Sequence, residues 1–109
     1  MSPQAVVSER LEVSPEALIS FCRKWQIARL EIFGSVLRED FRADSDVDFL
    51  VSFEPGAGPA GFDWFQLKEE LAQLVGRKVD VLERRLVEQS RNLYRRHHIL
   101  REATTIHGS

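Results

Sequence analysis

Ser45-Asp46-Val47-Asp48-Phe49-Leu50-Val51-Ser52-Phe53 is the stretch on which the reading of this chain turns. Alternate residues of a strand share a face, so Val47, Phe49, Val51 and Phe53 form one side and Asp46, Asp48, Leu50 and Ser52 the other. The two carboxylates then lie about 6.6 Å apart along the strand and project the same way. Without a counterion they would repel and raise each other's pKa, so the pair makes physical sense mainly with a divalent cation between them. An oxygen-only ligand set favours magnesium or manganese over zinc. A surface turn, Asp44-Ser45-Asp46, would account for Asp46 alone. It leaves Asp48 unexplained, inside an apolar run where an unpaired carboxylate is costly unless it faces solvent or an ion.

Upstream, Ser14-Pro15-Glu16 reads as an N-cap, a first-turn proline and an early acidic residue, with Leu18, Phe21, Cys22 and Trp25 at helical spacing, so a helix is expected over about 15–25. Ala28, Leu30 and Ile32 alternate with Arg29, Glu31 and Phe33 in a strand that stops at Gly34. A short helical turn and a polar loop follow, through Ser45. Downstream, residues 54–61 form a Gly/Pro-rich loop within the domain. Asp63 and Gln66 resemble a capping box for a helix whose apolar face is Trp64, Leu67, Leu71, Leu74 and Val75 and which ends at Gly76. A third strand over 78–83 places Asp80 opposite to Val79 and Val81, so that Asp80 joins Asp46 and Asp48 if that strand pairs beside the second. Leu86, Val87, Leu93, Tyr94 and Leu100 mark one final amphipathic helix, with 103–109 as a flexible tail. The whole chain, 1–109, reads as a single α+β domain: a small mixed sheet of three to four strands with helices packed on it, its core about 27–95.

At 109 residues the chain has room for one core but not for a second, substrate-shaping domain. Its composition, 43% hydrophobic and 29% charged, is that of a globular protein. A net charge of -2 disfavours direct nucleic-acid binding. The lone Cys22 excludes an internal disulfide and falls on the apolar face of the first helix, the place of a core residue. No stretch approaches the roughly 20 apolar residues of a membrane span, and the amino terminus lacks a secretory signal, so a cytoplasmic location is expected.

Nucleotidyl transfer asks little covalent help of a protein but does need negative charge neutralised and the attacking oxygen held in line with the leaving pyrophosphate. Three carboxylates and two metal ions supply both. Gly34-Ser35 suits the phosphates, since glycine lets the backbone approach closely and Ser35 with the following amides offers donors to an anion.

Gly34-Ser35, ten residues, Asp46-Val47-Asp48, then Asp80 on a later strand resembles the signature of the DNA polymerase beta-type nucleotidyltransferase superfamily. It is most similar to the minimal branch, the MntA-type antitoxins paired with HepT-type toxins of the HEPN class, and the similarity covers roughly residues 27–95. The resemblance implies an ATP-using enzyme that attaches AMP to a tyrosine of its partner toxin. By position it implies Asp46, Asp48 and Asp80 as ligands of two magnesium ions, with Asp80 as, or assisting, the base. It also implies Gly34 and Ser35 as holders of the triphosphate, with Arg38 and Ser45 as further nucleotide contacts. Two rivals remain, a catalytically inert fold that neutralises the toxin by stoichiometric binding and a transferase acting on a small molecule. The intact set of motif residues argues against the first and the short chain against the second.

The arginines Arg84, Arg85, Arg91, Arg95, Arg96 and Arg101 read as a solvated face or a contact for a nucleotide, a nucleic acid or an acidic partner. Arg91 and His97 match the arginine-to-histidine spacing of HEPN ribonucleases, but those are all-helical domains and the match is taken as coincidence. Tyr94, the only tyrosine, is expected in the core rather than as a self-modified acceptor.

Overall fold

The structure is a computed structural model and describes residues 2–42, 44–61 and 63–108. Ser14 accepts a hydrogen bond from the Ala17 amide and Pro15 occupies the first turn, so helix α2, Pro15–Lys24, starts where its cap dictates. Before it, α1, Pro3–Ala5, runs into a π-helical turn, Val6–Arg10, that buries Val6 and Val7. No periodicity announces that segment. Strand β1, Ile27–Phe33, leads into a 3-10 turn, Gly34–Leu37, and strand β2, Val47–Phe53, follows. Helix α3, Asp63–Val75, ends as Gly76 turns to φ 68 and its amide bonds back to the Ala72 carbonyl. Asp63, expected as the cap, is instead the first residue of α3 and places an acidic group in its first turn. Strand β3, Val79–Glu83, comes next.

The sheet is mixed, in the order β3-β2-β1-β4, where β4 is Thr104–His107. β1 is antiparallel to both β2 and β4, while β2 and β3 run parallel through the α3 connection. The expected α+β sheet with helices packed on it is therefore what forms. One face bears the main core: Leu30, Ile32, Val47, Phe49 and Val51 pack against Leu67 and Leu71 of α3 and Leu18, Phe21 and Cys22 of α2. The other face carries a smaller cluster of Phe33, Leu50, Val87 and Ile99. Between these apolar groups Glu31 is only 1% exposed, both of its carboxylate oxygens accepting from Arg84 Nη1 at 2.7 and 2.6 Å.

Three expectations are corrected. The last helix is two, α4 (Arg84–Glu88) and α5 (Leu93–Glu102), because Ser90 and Asn92 take the backbone amides of Asn92 and Arg95 and cap a fresh start. Residues 104–107 are not a tail: their β-branched Thr-Thr-Ile run supplies the outer partner that β1 otherwise lacks. Tyr94 is 84% exposed rather than in the core; it faces outward on the first turn of α5 and its ring stacks on His98. Among the described residues no helix is long and apolar enough to cross a membrane.

Cys22 is fully buried, and burial pushes its thiol up to about 12. An acid whose folded pKa lies above its unfolded value of 9.0 adds stability below that value and loses it as pH climbs toward 12. The native protein should therefore resist iodoacetamide at mildly alkaline pH and react fully in denaturant. Alkylation at equal rates in both conditions would contradict the buried placement.

Candidate functional site

Asp48 is the second residue of β2 and stands directly beside Asp80 of β3 in the parallel register, with Phe33 of β1 as its partner on the other side. Neighbouring strands lie about 4.8 Å apart, so the two carboxylates start from adjacent positions on one face. Asp46 immediately precedes β2 and is exposed, as is Asp80; Asp48 is half-buried. Burial is the main cause that raises the Asp48 carboxyl above the usual carboxylate range, Asp80 and then Asp46 add to it, and Arg38 opposes them. Asp46, Asp80 and Arg38 thus all lie within electrostatic reach of Asp48.

Gly34 closes the site from the β1 side. Its φ is +79, and a Cβ there would sit 2.5 Å from Asp48 Oδ2. Glycine is needed twice, for the left-handed backbone and for the space. Ser35 donates its hydroxyl to the Asp46 carbonyl at 3.3 Å, which ties the Gly-Ser turn to the start of β2. Ser45 closes a small turn, its hydroxyl accepting from the Arg42 amide at 3.0 Å.

Several supports of the site were not foreseen. Arg10 of the π-helical turn donates to the carbonyls of Val36 and Arg38, each at 2.6 Å, and so braces the 3-10 turn from behind. The guanidinium groups of Arg77 and Arg10 both lie over the Phe41 ring, 4.5 and 5.8 Å from its centroid. Arg77 also donates to the Arg42 carbonyl at 2.8 Å. Beside Asp46, Lys68 and Lys78 flank a recess of about 320 Å3 that also includes the exposed Phe65. Local periodicity carries no signal for such contacts, since each joins residues far apart in the chain.

Among the described residues no set of three or more His, Cys, Asp or Glu side chains is closed into a metal-binding group. The donor chemistry still fits a hard cation: oxygen anions only, one of them held at a cost by burial and by like charge. Asp46, Asp48 and Asp80 would hold it.

The chain belongs to the nucleotidyltransferase domain family, whose family model matches residues 15–104. It is similar to a candidate protein adenylyltransferase of Methanocaldococcus jannaschii, 40% identical over 65 residues that make up 60% of this chain and 68% of that one. It is also similar to the protein adenylyltransferase MntA of Thermococcus cleftensis, 36% identical over 59 residues, 54% of this chain and 58% of that one. Among solved structures, one described as a candidate minimal nucleotidyltransferase is 36% identical, with a TM-score of 0.64 over 95% of both chains. A chain of a toxin-antitoxin crystallised with AMP-PNP shares the fold, with a TM-score of 0.64 at 18% identity over 84% of this chain and 71% of that one.

Two outcomes follow from the geometry. A carboxyl whose pKa is raised on folding gives stability only while protonated, and that stability is lost as pH rises through the raised value. Ionised Asp48 is thus a liability at neutral pH, and Asp48→Asn should melt a few degrees above the wild type in chelator-containing buffer. An equal or lower melting temperature would show that the carboxylate is not strained. Gly34→Ala should cost about 1–2 kcal/mol for the left-handed backbone, seen in urea unfolding, and should also displace Asp48; an unchanged midpoint would refute the close packing.

Proposed function

We propose that this chain is a magnesium-dependent protein adenylyltransferase that moves AMP from ATP to a tyrosine of a HEPN-class toxin, and so acts in the cytoplasm as the antitoxin of that pair. The observation that carries the reading is the in-register pair Asp48 and Asp80, with Asp46 beside it and Gly34 packed against Asp48. Such an oxygen cluster next to a Gly-Ser turn has little purpose other than cation and phosphate handling. Support for a protein acceptor comes from the likeness to named protein adenylyltransferases. Support for a toxin partner comes from fold neighbours that are toxin-antitoxin structures, one of them MntA-HepT.

In this mechanism Gly34 and Ser35 hold the triphosphate through backbone and hydroxyl donors, with Arg38, already within electrostatic reach of Asp48, and Ser45 as further contacts. Asp46, Asp48 and Asp80 would hold magnesium, which would supply neutralisation of the triphosphate charge and a lowered pKa for the acceptor hydroxyl. Asp80, exposed at the edge of the cluster, accepts the proton as the tyrosine oxygen bonds to the α-phosphorus and pyrophosphate leaves. A tyrosine suits this step, since its hydroxyl ionises near ~10, far below an aliphatic alcohol.

Incubating the chain with its HEPN-class partner, ATP and magnesium should add AMP to a partner tyrosine and suppress the partner's ribonuclease activity. Replacing Asp46 and Asp48 together by Asn, or adding a chelator, should abolish the transfer. Intact-mass spectrometry decides: a partner neutralised without mass gain would make the chain a stoichiometric binder, and transfer only to small molecules would exclude a protein acceptor.

A further inference from the structure

The sheet face that bears Asp80 runs on into a groove. Leu82, two residues past Asp80 and so about 7 Å along β3, lines a cavity of about 360 Å3 together with Trp64, Leu86, Ile99, Arg95 and Arg96. Because β3 is the outer strand of the sheet, the groove opens at the sheet edge. Of the five large apolar side chains exposed among the described residues, three, Leu86, Leu93 and Tyr94, lie on α4 and α5, and Leu86 lines the groove itself. A short chain that leaves such groups in water usually covers them with a partner.

Charge indicates the partner's chemistry. Residues 84–102 hold six arginines against two glutamates, in a chain of net charge -2. Arg84 is taken up by Glu31 and Glu88, Arg85 by Glu83 and Arg96 by the Glu88 carbonyl. The guanidinium groups of Arg91 and Arg95 have no hydrogen-bond or ion-pair partner among the described residues and both residues are exposed. We propose that this groove is the docking surface for the acceptor protein, through a segment that seats an apolar side chain between Trp64, Leu86 and Ile99 and sets a carboxylate against Arg95. An apolar centre with a cationic rim is the anatomy of a specific protein interface, and the rim selects acidic segments. The negative charge of the remainder of the chain opposes a nucleic acid in the same place. Docking two residues from Asp80 also brings the acceptor hydroxyl toward the aspartates, where a held geometry favours transfer.

The proposal takes the identity of the acceptor from the adenylyltransferase reading, and its test separates the two. Leu86→Asp and Arg95→Glu alter exposed side chains, so both variants should keep the wild-type melting curve and its shift with magnesium and ATP. Their Kd for the HEPN-class partner should rise at least tenfold by calorimetry, as should the KM for the partner, with the KM for ATP unchanged. A partner Kd unchanged in both variants overturns the docking surface even if transfer proceeds. Loss of partner binding in the variants, where the wild type binds but transfers no AMP, upholds the surface and removes the transferase reading. If the variants lose only self-association, or only affinity for a single-stranded RNA, the groove belongs to a second copy or to RNA and the proposal fails.

Discussion

The parallel pairing of β2 with β3 is the constraint around which this molecule is arranged. It sets Val47 beside Val79 and Phe49 beside Val81, which builds the main core, and the same register sets Asp48 beside Asp80. Slipping either strand by one residue would turn the valines outward and separate the aspartates, because side chains alternate with period two. The apolar pattern therefore enforces a juxtaposition that the carboxylates by themselves oppose. Asp48 bears the cost, its carboxyl raised by burial and by its two neighbours, and the core beneath it offsets that cost.

Around that pairing the supports come from distant parts of the chain. Among the described residues of the spacer between Gly34 and Asp46 no regular element follows its first turn, yet the spacer is tied at several points. Arg10 holds the carbonyls at its start, two guanidinium groups lie over the Phe41 ring, and Arg77 reaches the Arg42 carbonyl. Ser35 fastens its first turn to the Asp46 carbonyl. A polar loop braced in this way can present a fixed phosphate-binding edge, since less conformational entropy remains to be lost on binding.

The two faces of the sheet divide the work. The face under α2 and α3 is filled by aliphatic and aromatic side chains and supplies stability. The opposite face is only partly covered, by α4 and α5, and keeps a buried ion pair, Glu31 with Arg84, among its apolar contacts. Removing one member of such a pair leaves a stranded charge, so the pair fastens the start of α4 to the middle of β1. With α4 fixed there, the aspartates at one end of the face stay open and the arginine-rich helices lie at the other.

What the sequence by itself determined is whatever depends on neighbours a few residues away. The cap at Ser14, the strand alternation across Val47–Phe53, the helix that ends at Gly76 and the spacing of Gly34, Ser35, Asp46 and Asp48 were all legible, because helix and strand periods and turn chemistry act locally. So was the sharing of a face by Asp48 and Asp80, provided that β2 and β3 are adjacent. Only the tertiary structure decided that adjacency. It also decided that Thr104–His107 returns as a strand beside β1, that the last helix breaks at Ser90 and Asn92, that Tyr94 points to solvent, and that Arg10 and Arg84 meet partners 26 and 53 residues away. A strand's partner, a loop's brace and the mate of a buried charge are selected by which surfaces meet once the core has closed, and no local period records that choice.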